Sequence, residues 1–209
     1  ELVEQFARCQ QWCEAIGVAA YERSGCEADD VIAALANVSR RARLPVTVVT
    51  ADKDLAQLIR VGDELWELSS GRRLQYGRLS KRLGLKPEQV ADMLALCGDK
   101  TDNILGVPGL GSHAAARLLV KWGDLANLGE NLDAVAEMKF KGAATIAPVL
   151  KEHWSQVLAS RKLTGVLPVD DMPESPSDLL VREPGDWQAL ANTFALTDAD
   201  IARWQAVLN

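Results

Sequence analysis

Seven carboxylates in three short runs stand out in this 209-residue chain: Glu27, Asp29 and Asp30, then Asp52 and Asp54, then Asp99 and Asp102. Gathered at one place, so many acids would repel one another, and such a site persists only when cations fill it. Oxygen donors without cysteine or histidine select hard ions such as Mg²⁺ or Mn²⁺. Two such ions about 4 Å apart stabilise the attacking and leaving oxygens of a phosphodiester cleavage. Chemistry of that kind needs no side-chain nucleophile, and the sequence offers no convincing Cys/His or Ser/His pairing. The blander readings are that acids in a first helical turn complement the helix dipole, and that an i, i+3 acidic pair is a solvated face.

The last acidic run opens the stretch Gly-Asp-Lys-Thr-Asp-Asn-Ile-Leu-Gly-Val-Pro-Gly-Leu-Gly-Ser-His-Ala-Ala-Ala-Arg, residues 98–117. A helix starting here would put Asp99 and Asp102 on one face. Gly106, Gly109 and Gly111 allow tight turns and close backbone approach. Residues 112–122 read as a helix whose first amides point outward, a phosphate seat beside a pair of acids.

The elements that must carry these groups follow from hydrophobic spacing. Leu2, Phe6, Cys9, Cys13 and Ile16 form a helical stripe stopped by Gly17, and Val18 to Glu22 suits a short strand. Glu27 and Asp30 share a face of the next helix with Asp29 about 100° away, and Val31, Ala34, Leu35 and Val38 form its apolar side. The β-branched run 46–50 suits a buried parallel strand, and it delivers Asp52 and Asp54 to the carboxyl edge where open α/β sheets bind ligands. Strands at 65–68 and 74–76 and helices at 76–83 and 87–97 come next. Helical patterns at 132–138 and 143–163, the second kinked or divided at Pro148, an edge strand at 163–169, and closing helices at 186–194 and 197–208 complete the chain. The six tryptophans follow no motif, and core packing is the expectation for most of them.

The formal charge of -6 looks unsuited to a nucleic-acid binder until the acids are located. Of 29 acidic residues, setting aside the seven leaves 22 against 23 basic ones, so a basic surface beside a cation-filled pocket is compatible with the composition. Cys9, Cys13, Cys26 and Cys97 lack zinc-ligand spacing and suit free thiols in a reducing cytoplasmic setting. No apolar run approaches the length of a membrane span.

Glu-Ala-Asp-Asp at 27–30, Thr-Ala-Asp-Lys-Asp-Leu at 50–55 and the 98–111 motif together resemble the bacterial and phage 5′ nucleases, a family that includes the 5′-3′ exonuclease domain of DNA polymerase I and free-standing flap endonucleases. The resemblance covers roughly residues 1–165. It implies an α/β, PIN-like domain with a mostly parallel sheet and a helix-three-turn-helix DNA-binding module. The core would comprise 1–85 and 163–209, and the helical region 86–162. It also implies two-metal hydrolysis of phosphodiester bonds near DNA 5′ ends, on duplexes with a 5′ flap, nick or gap, in replication or repair. The protein is expected to be a cytoplasmic monomer.

By position, the resemblance makes Glu27 and Asp29 ligands of a first metal, places Asp30 and Asp52 near or between both, and assigns Asp54, Asp99 and Asp102 to the second. Lys53 is a phosphate contact or a solvated lysine. Gly109, Gly111, Ser112, His113, Arg117 and Lys121 are expected to track duplex phosphates without reading bases. His113 stands where the family usually has lysine, which makes that contact pH-dependent. Carbonyls of Leu105, Val107 and Leu110 are candidates for holding K⁺, as the family's module does. The family carries a further segment before the equivalent of Leu2, with two aspartates and a basic helical arch. The expectation is therefore a truncated, impaired enzyme. Two other readings compete: a non-catalytic DNA-binding fragment, and a PIN-type ribonuclease, which would not need the glycine hairpin.

Overall fold

In the computed structural model, which describes residues 2–179 and 183–208, the chain divides into two units. One takes the residues up to Val31 together with those from Val169 onward; the other is Ile32–Pro168.

In the second unit, three strands form one sheet in the order β1 (Thr47–Val49), β2 (Glu64–Glu67), β3 (Arg72–Gln75). β1 pairs with β2 in parallel, Val48 opposite Leu65. β2 and β3 are antiparallel, because only a short turn with Gly71 in the left-handed region separates them, too little chain for a crossover. The mostly parallel sheet expected is thus, among the described residues, one pairing of each kind. The expected buried run is also shorter: Val48 is buried but Thr47 and Val49 are exposed, so the strand is covered on one face.

The helices of this unit are α3 (Tyr76–Leu83), α4 (Val90–Cys97), α5 (Ser112–Trp122), α6 (Leu125–Gly129), α7 (Ala143–Glu152) and α8 (Trp154–Thr164). Leu96, Leu118, Leu119, Leu128, Leu150 and Val157 are sealed in their shared core. Polar side chains fix the crossings. Gln89 Nε2 donates to the carbonyls of Leu119 (2.9 Å) and Gly123 (2.6 Å), fastening to the carboxyl end of α5, where the Leu119 carbonyl also accepts the Gly123 amide. Arg161 Nε donates to Asp92 Oδ1 at 2.5 Å, while Asp92 Oδ2 accepts from the Leu125 amide. Buried Asp63 accepts from Arg40 and from the amides of Val46 and Arg60, tying α2 (Ala28–Arg41) to the sheet.

Three expectations give way here. The helical pattern 143–163 divides at His153, not at Pro148, which lies in the second turn of α7. Residues 132–138 form a tighter 3₁₀ turn, Leu132–Glu137. The strand expected at 163–169 does not form: α8 runs on through Thr164 and the residues after it are irregular.

In the first unit, α1 (Leu2–Ala15), α9 (Trp187–Thr193) and α10 (Asp198–Leu208) surround a small aromatic core. Trp12 stands edge-on to Trp187 and Trp204, with ring centroids 6.2 and 5.4 Å apart. The α1 stripe is used only at its carboxyl end: Ile16 is buried, whereas Leu2 and Phe6 stay exposed because α9 packs near Trp12 and Ile16. Residues 18–22 form no strand. Thr197 caps α10, accepting from the Asp200 amide, and its hydroxyl donates to Asp200 Oδ2 at 2.6 Å.

Candidate metal centre

Asp99 and Asp102 do not share a helix face. α4 ends at Gly98 with φ 78°, and the chain folds into a tight loop closed by a reciprocal pair of backbone bonds: Asp99 N to Ile104 O at 3.0 Å, and Ile104 N to Asp99 O at 2.7 Å. Asn103, in the left-handed region that asparagine tolerates, turns the loop. Glycine makes the closure possible. A Cβ on Gly106 would lie 2.1 Å from the Cys97 carbonyl carbon, and one on Gly98 would lie 2.6 Å from the Gly106 amide nitrogen. At Gly106 the close backbone approach expected of these glycines is made to the chain's own Cys97–Gly98 segment.

This loop carries Asp99 and Asp102 to Asp54, which opens the 3₁₀ turn Asp54–Leu58 just after β1. One carboxylate oxygen from each of Asp54, Asp99 and Asp102 lies within 4.8 Å of the others. Asp99 is buried, Asp54 half-buried and Asp102 exposed. Three hard oxygen donors from two loops, one desolvated and one open to solvent, fit a divalent ion that keeps waters for a substrate.

The electrostatics agree with a cation site. Burial pushes the Asp54 carboxyl up to about 6; Lys53 opposes this, and Asp52, Asp99 and Asp102 add to it. Burial also pushes Asp99 upward, but a hydrogen bond from Lys53 and one from the Thr101 amide outweigh it and hold the group below the usual carboxylate range. Lys53 Nζ sits 3.0 Å from Asp99 Oδ2, and the Thr101 amide 2.6 Å from Oδ1. The bond to Asp99 raises Lys53, opposed by the smaller effect of burial.

The remaining expected ligands are used differently. Asp52 is exposed, and its Oδ1 accepts the Asp54 amide at 2.8 Å, a local turn that sets Asp54 in place. Glu27, Asp29 and Asp30 belong to the first unit, at the start of α2. There Asp30 Oδ2 accepts the Glu27 amide at 3.2 Å, half of a capping box.

An open cleft of about 480 Å³ joins Asp54 and Asp99 to the amino end of α5. It is lined by Lys53, Asp54, Asp99, Lys100, Gly111 and Ser112 among others, so the glycine turn and the acids share one recess. The Gly111 carbonyl accepts the amides of Ala114 and Ala115, the regular start of the helix. Of the expected phosphate contacts, Ser112 and His113 are exposed on the first turn. Arg117 is partly committed, donating to the Lys139 carbonyl at 3.2 Å and lying over Phe140. Lys121 lies 4.3 Å over Trp122. The Leu105 carbonyl accepts from Ser160 Oγ, and that of Val107 from the Leu110 amide, so two of the three oxygens considered for K⁺ already have a partner.

Sequence reasoning passed over Lys100 and Thr101, which lie in the cleft between the paired acids, and Cys97, whose thiol is pushed up by burial beside them. Their place inside the acidic motif was the available signal.

Two family models match consecutively: the 5′-3′ exonuclease N-terminal resolvase-like domain over residues 1–84 and the 5′-3′ exonuclease C-terminal SAM fold over 85–186. Among curated proteins, the thermostable DNA polymerase I of Thermus caldophilus is 42% identical over 181 residues, 86% of this chain and 20% of that protein. DNA polymerase I of Pseudomonas aeruginosa is 41% identical over 143 residues, 68% of the chain and 16% of the polymerase. A 5′-3′ exonuclease of Buchnera aphidicola is 32% identical over 153 residues, 73% of this chain and 53% of its own length. The chain therefore spans from about a sixth to about half of these relatives. Among solved structures, the zinc-bound T5 5′-exonuclease shares the fold with a TM-score of 0.58 at 19% identity, over 69% of this chain and 51% of that one. The catalytic core of Rad2 in complex with DNA does so at 0.60 and 13% identity, over 99% and 69%.

Proposed function

We propose, for a chain that belongs to the 5′-3′ exonuclease family, hydrolysis of phosphodiester bonds near the 5′ ends of DNA, as an exonuclease or flap endonuclease in replication or repair. The observation that carries this reading is the convergence of three carboxylates, two of which, Asp54 and Asp99, line a cleft shared with the amino end of a helix suited to a phosphate.

Asp54, Asp99 and Asp102 would hold one divalent ion, Mg²⁺ or Mn²⁺; Glu27 and Asp29 are proposed as ligands of another, with Asp30 and Asp52 proposed near or between both. When bound, the ions supply a water of lowered pKa and positive charge at the developing alkoxide. The chain's own residues do the rest. Thr101 fixes the Asp99 carboxylate through its amide, and Asp52 sets the turn that aims Asp54. Gly109, Gly111, Ser112, His113 and Lys121 would seat duplex phosphates, with Arg117 bracing the α5 surface through Lys139. The substrate is proposed to be duplex DNA with a 5′ flap, nick or gap, bound by a cytoplasmic monomer. The nuclease core is assigned to 1–85 and 163–209 and the helix-three-turn-helix region to 86–162. For K⁺, the Leu110 carbonyl is the better candidate, the other two being engaged. No helix among the described residues is long and apolar enough to cross a membrane.

The test is cleavage of 5′-labelled flap, nicked and RNA duplexes with and without Mg²⁺. Metal-dependent release from DNA 5′ ends, lost in Asp102→Ala, is expected. Salt-sensitive DNA binding without cleavage would select a binding module instead, and preference for RNA a ribonuclease.

A further inference from the structure

Lys53 and Asp99 make a lopsided pair. The Asp99 side chain is 3% exposed and the Lys53 side chain 68%. Asp99 cannot move: it follows the glycine-clamped end of α4, its own amide and carbonyl close the loop to Ile104, and Oδ1 is held by Thr101. Oδ2 is the oxygen left over, and Lys53 Nζ is on it. The lysine stem, by contrast, lies mostly in solvent and can swing at little cost.

With Oδ1 held by Thr101, Oδ2 is the Asp99 oxygen left for a divalent ion recruited together with Asp54 and Asp102, and an ammonium within hydrogen-bond reach of that oxygen would sit beside a doubly charged ion. The two cannot comfortably share Asp99. A displaced Lys53 remains in the cleft that also holds Lys100, Gly111 and Ser112, where a phosphate is the natural partner for an ammonium.

We propose that Lys53 is a positioning residue that exchanges partners. It pairs with Asp99 until a divalent ion takes that carboxylate, and is then released toward a substrate phosphate. Ion binding and phosphate binding are thereby coupled through one side chain. This rests on the metal centre proposed above and adds an order of events to it.

The test needs no turnover. The chain, with lysines labelled at the side-chain nitrogen with ¹⁵N, is titrated with Mg²⁺ and the Lys53 Nζ resonance followed by NMR. Mn²⁺ affinity is measured by electron paramagnetic resonance for wild type, Lys53→Met and Lys53→Arg. Added Mg²⁺ is expected to move the Lys53 resonance away from its ion-paired position, and Asp99→Asn to move it there without any ion. Lys53→Met should bind Mn²⁺ at least about fivefold tighter because a competing charge is gone, and Lys53→Arg should stay near wild type. Wild-type protein that binds Mn²⁺ while Lys53 stays still, or a Lys53→Met variant that binds no tighter, overturns the exchange alone. Wild-type protein that binds no divalent ion overturns both the exchange and the metal centre. Lys53 is largely exposed, so the variants should fold; a thermal melt of each against wild type checks that.

Discussion

Two acidic stretches, the start of α2 and the loop after α4, use the same residue type in different ways. At α2 the acids serve the helix: Asp29 and Asp30 lie in its first turn, where the dipole favours them, and Asp30 reaches back to the Glu27 amide. In the loop the acids serve no helix. Asp99 and Asp102 hang from a closed turn whose shape is set by glycine contacts and backbone bonds, and their oxygens are turned toward Asp54. An acid at a helix start has a local explanation whether or not it also binds an ion, whereas carboxylates brought together from separate loops have none, and it is the second arrangement whose geometry by itself calls for a cation.

That contrast can be broken first at the loop acids. Asp99→Ala or Asp102→Ala should lower Mg²⁺-dependent cleavage by about 10³-fold or more, since each removes a ligand of the ion that carries the chemistry; residual rates within tenfold of wild type in a quenched-flow assay would remove these residues from the centre. Gly106→Ala comes next. Its Cβ would meet backbone, which cannot rotate away, so a loss of about 3 kcal/mol or more in urea unfolding is expected, together with weakened Mn²⁺ binding. Gly111→Ala, with open space around its Cβ, should cost much less, about 1 kcal/mol or under, from the weaker capping of α5 by alanine.

At α2 the expected effects are smaller and of another kind. Asp30→Ala should cost about 1 kcal/mol through loss of the cap, and Asp30→Asn much less. Cleavage by Asp30→Asn sharpens the comparison: a retained rate makes Asp30 a capping residue only, and a collapse with stability intact makes it a ligand as well.

The smallest effect is a pH dependence. Asp54 has a folded value of about 6, above its ordinary 3.8, so the folded chain binds the proton more tightly than the unfolded one. Between those values the contribution of Asp54 to stability falls as pH rises, is fully present only below the unfolded value and is gone above about 6. Differential scanning calorimetry without divalent ions should show Asp54→Asn removing part of that slope, and a slope unchanged by the substitution would count against a perturbed Asp54.

Much of this was legible in the sequence, though unevenly. The stripes of α2 and α4, the cap at Thr197 and the strand–acid–turn pattern at 47–54 are set by neighbours within a few residues. Pro148 misled because a proline in the second turn of a helix removes only one bond, while the true break at His153 has no strong local marker. The exposed half of the α1 stripe misled for a related reason: periodicity shows which face is apolar, not how far along it a partner extends.

By itself, the sequence determined the number and type of the acids, the glycines beside them and the family these belong to, because all of these are properties of residue identity and spacing. The tertiary structure decided that Asp99 and Asp102 meet Asp54 through a clamped loop and not along a helix. It also decided that Gly106 is there for backbone contact, and that Lys53 lies on the most buried of the three carboxylates. Those outcomes depend on which distant segments approach within a bond length or two, and local pattern cannot encode that distance until the core has closed around it.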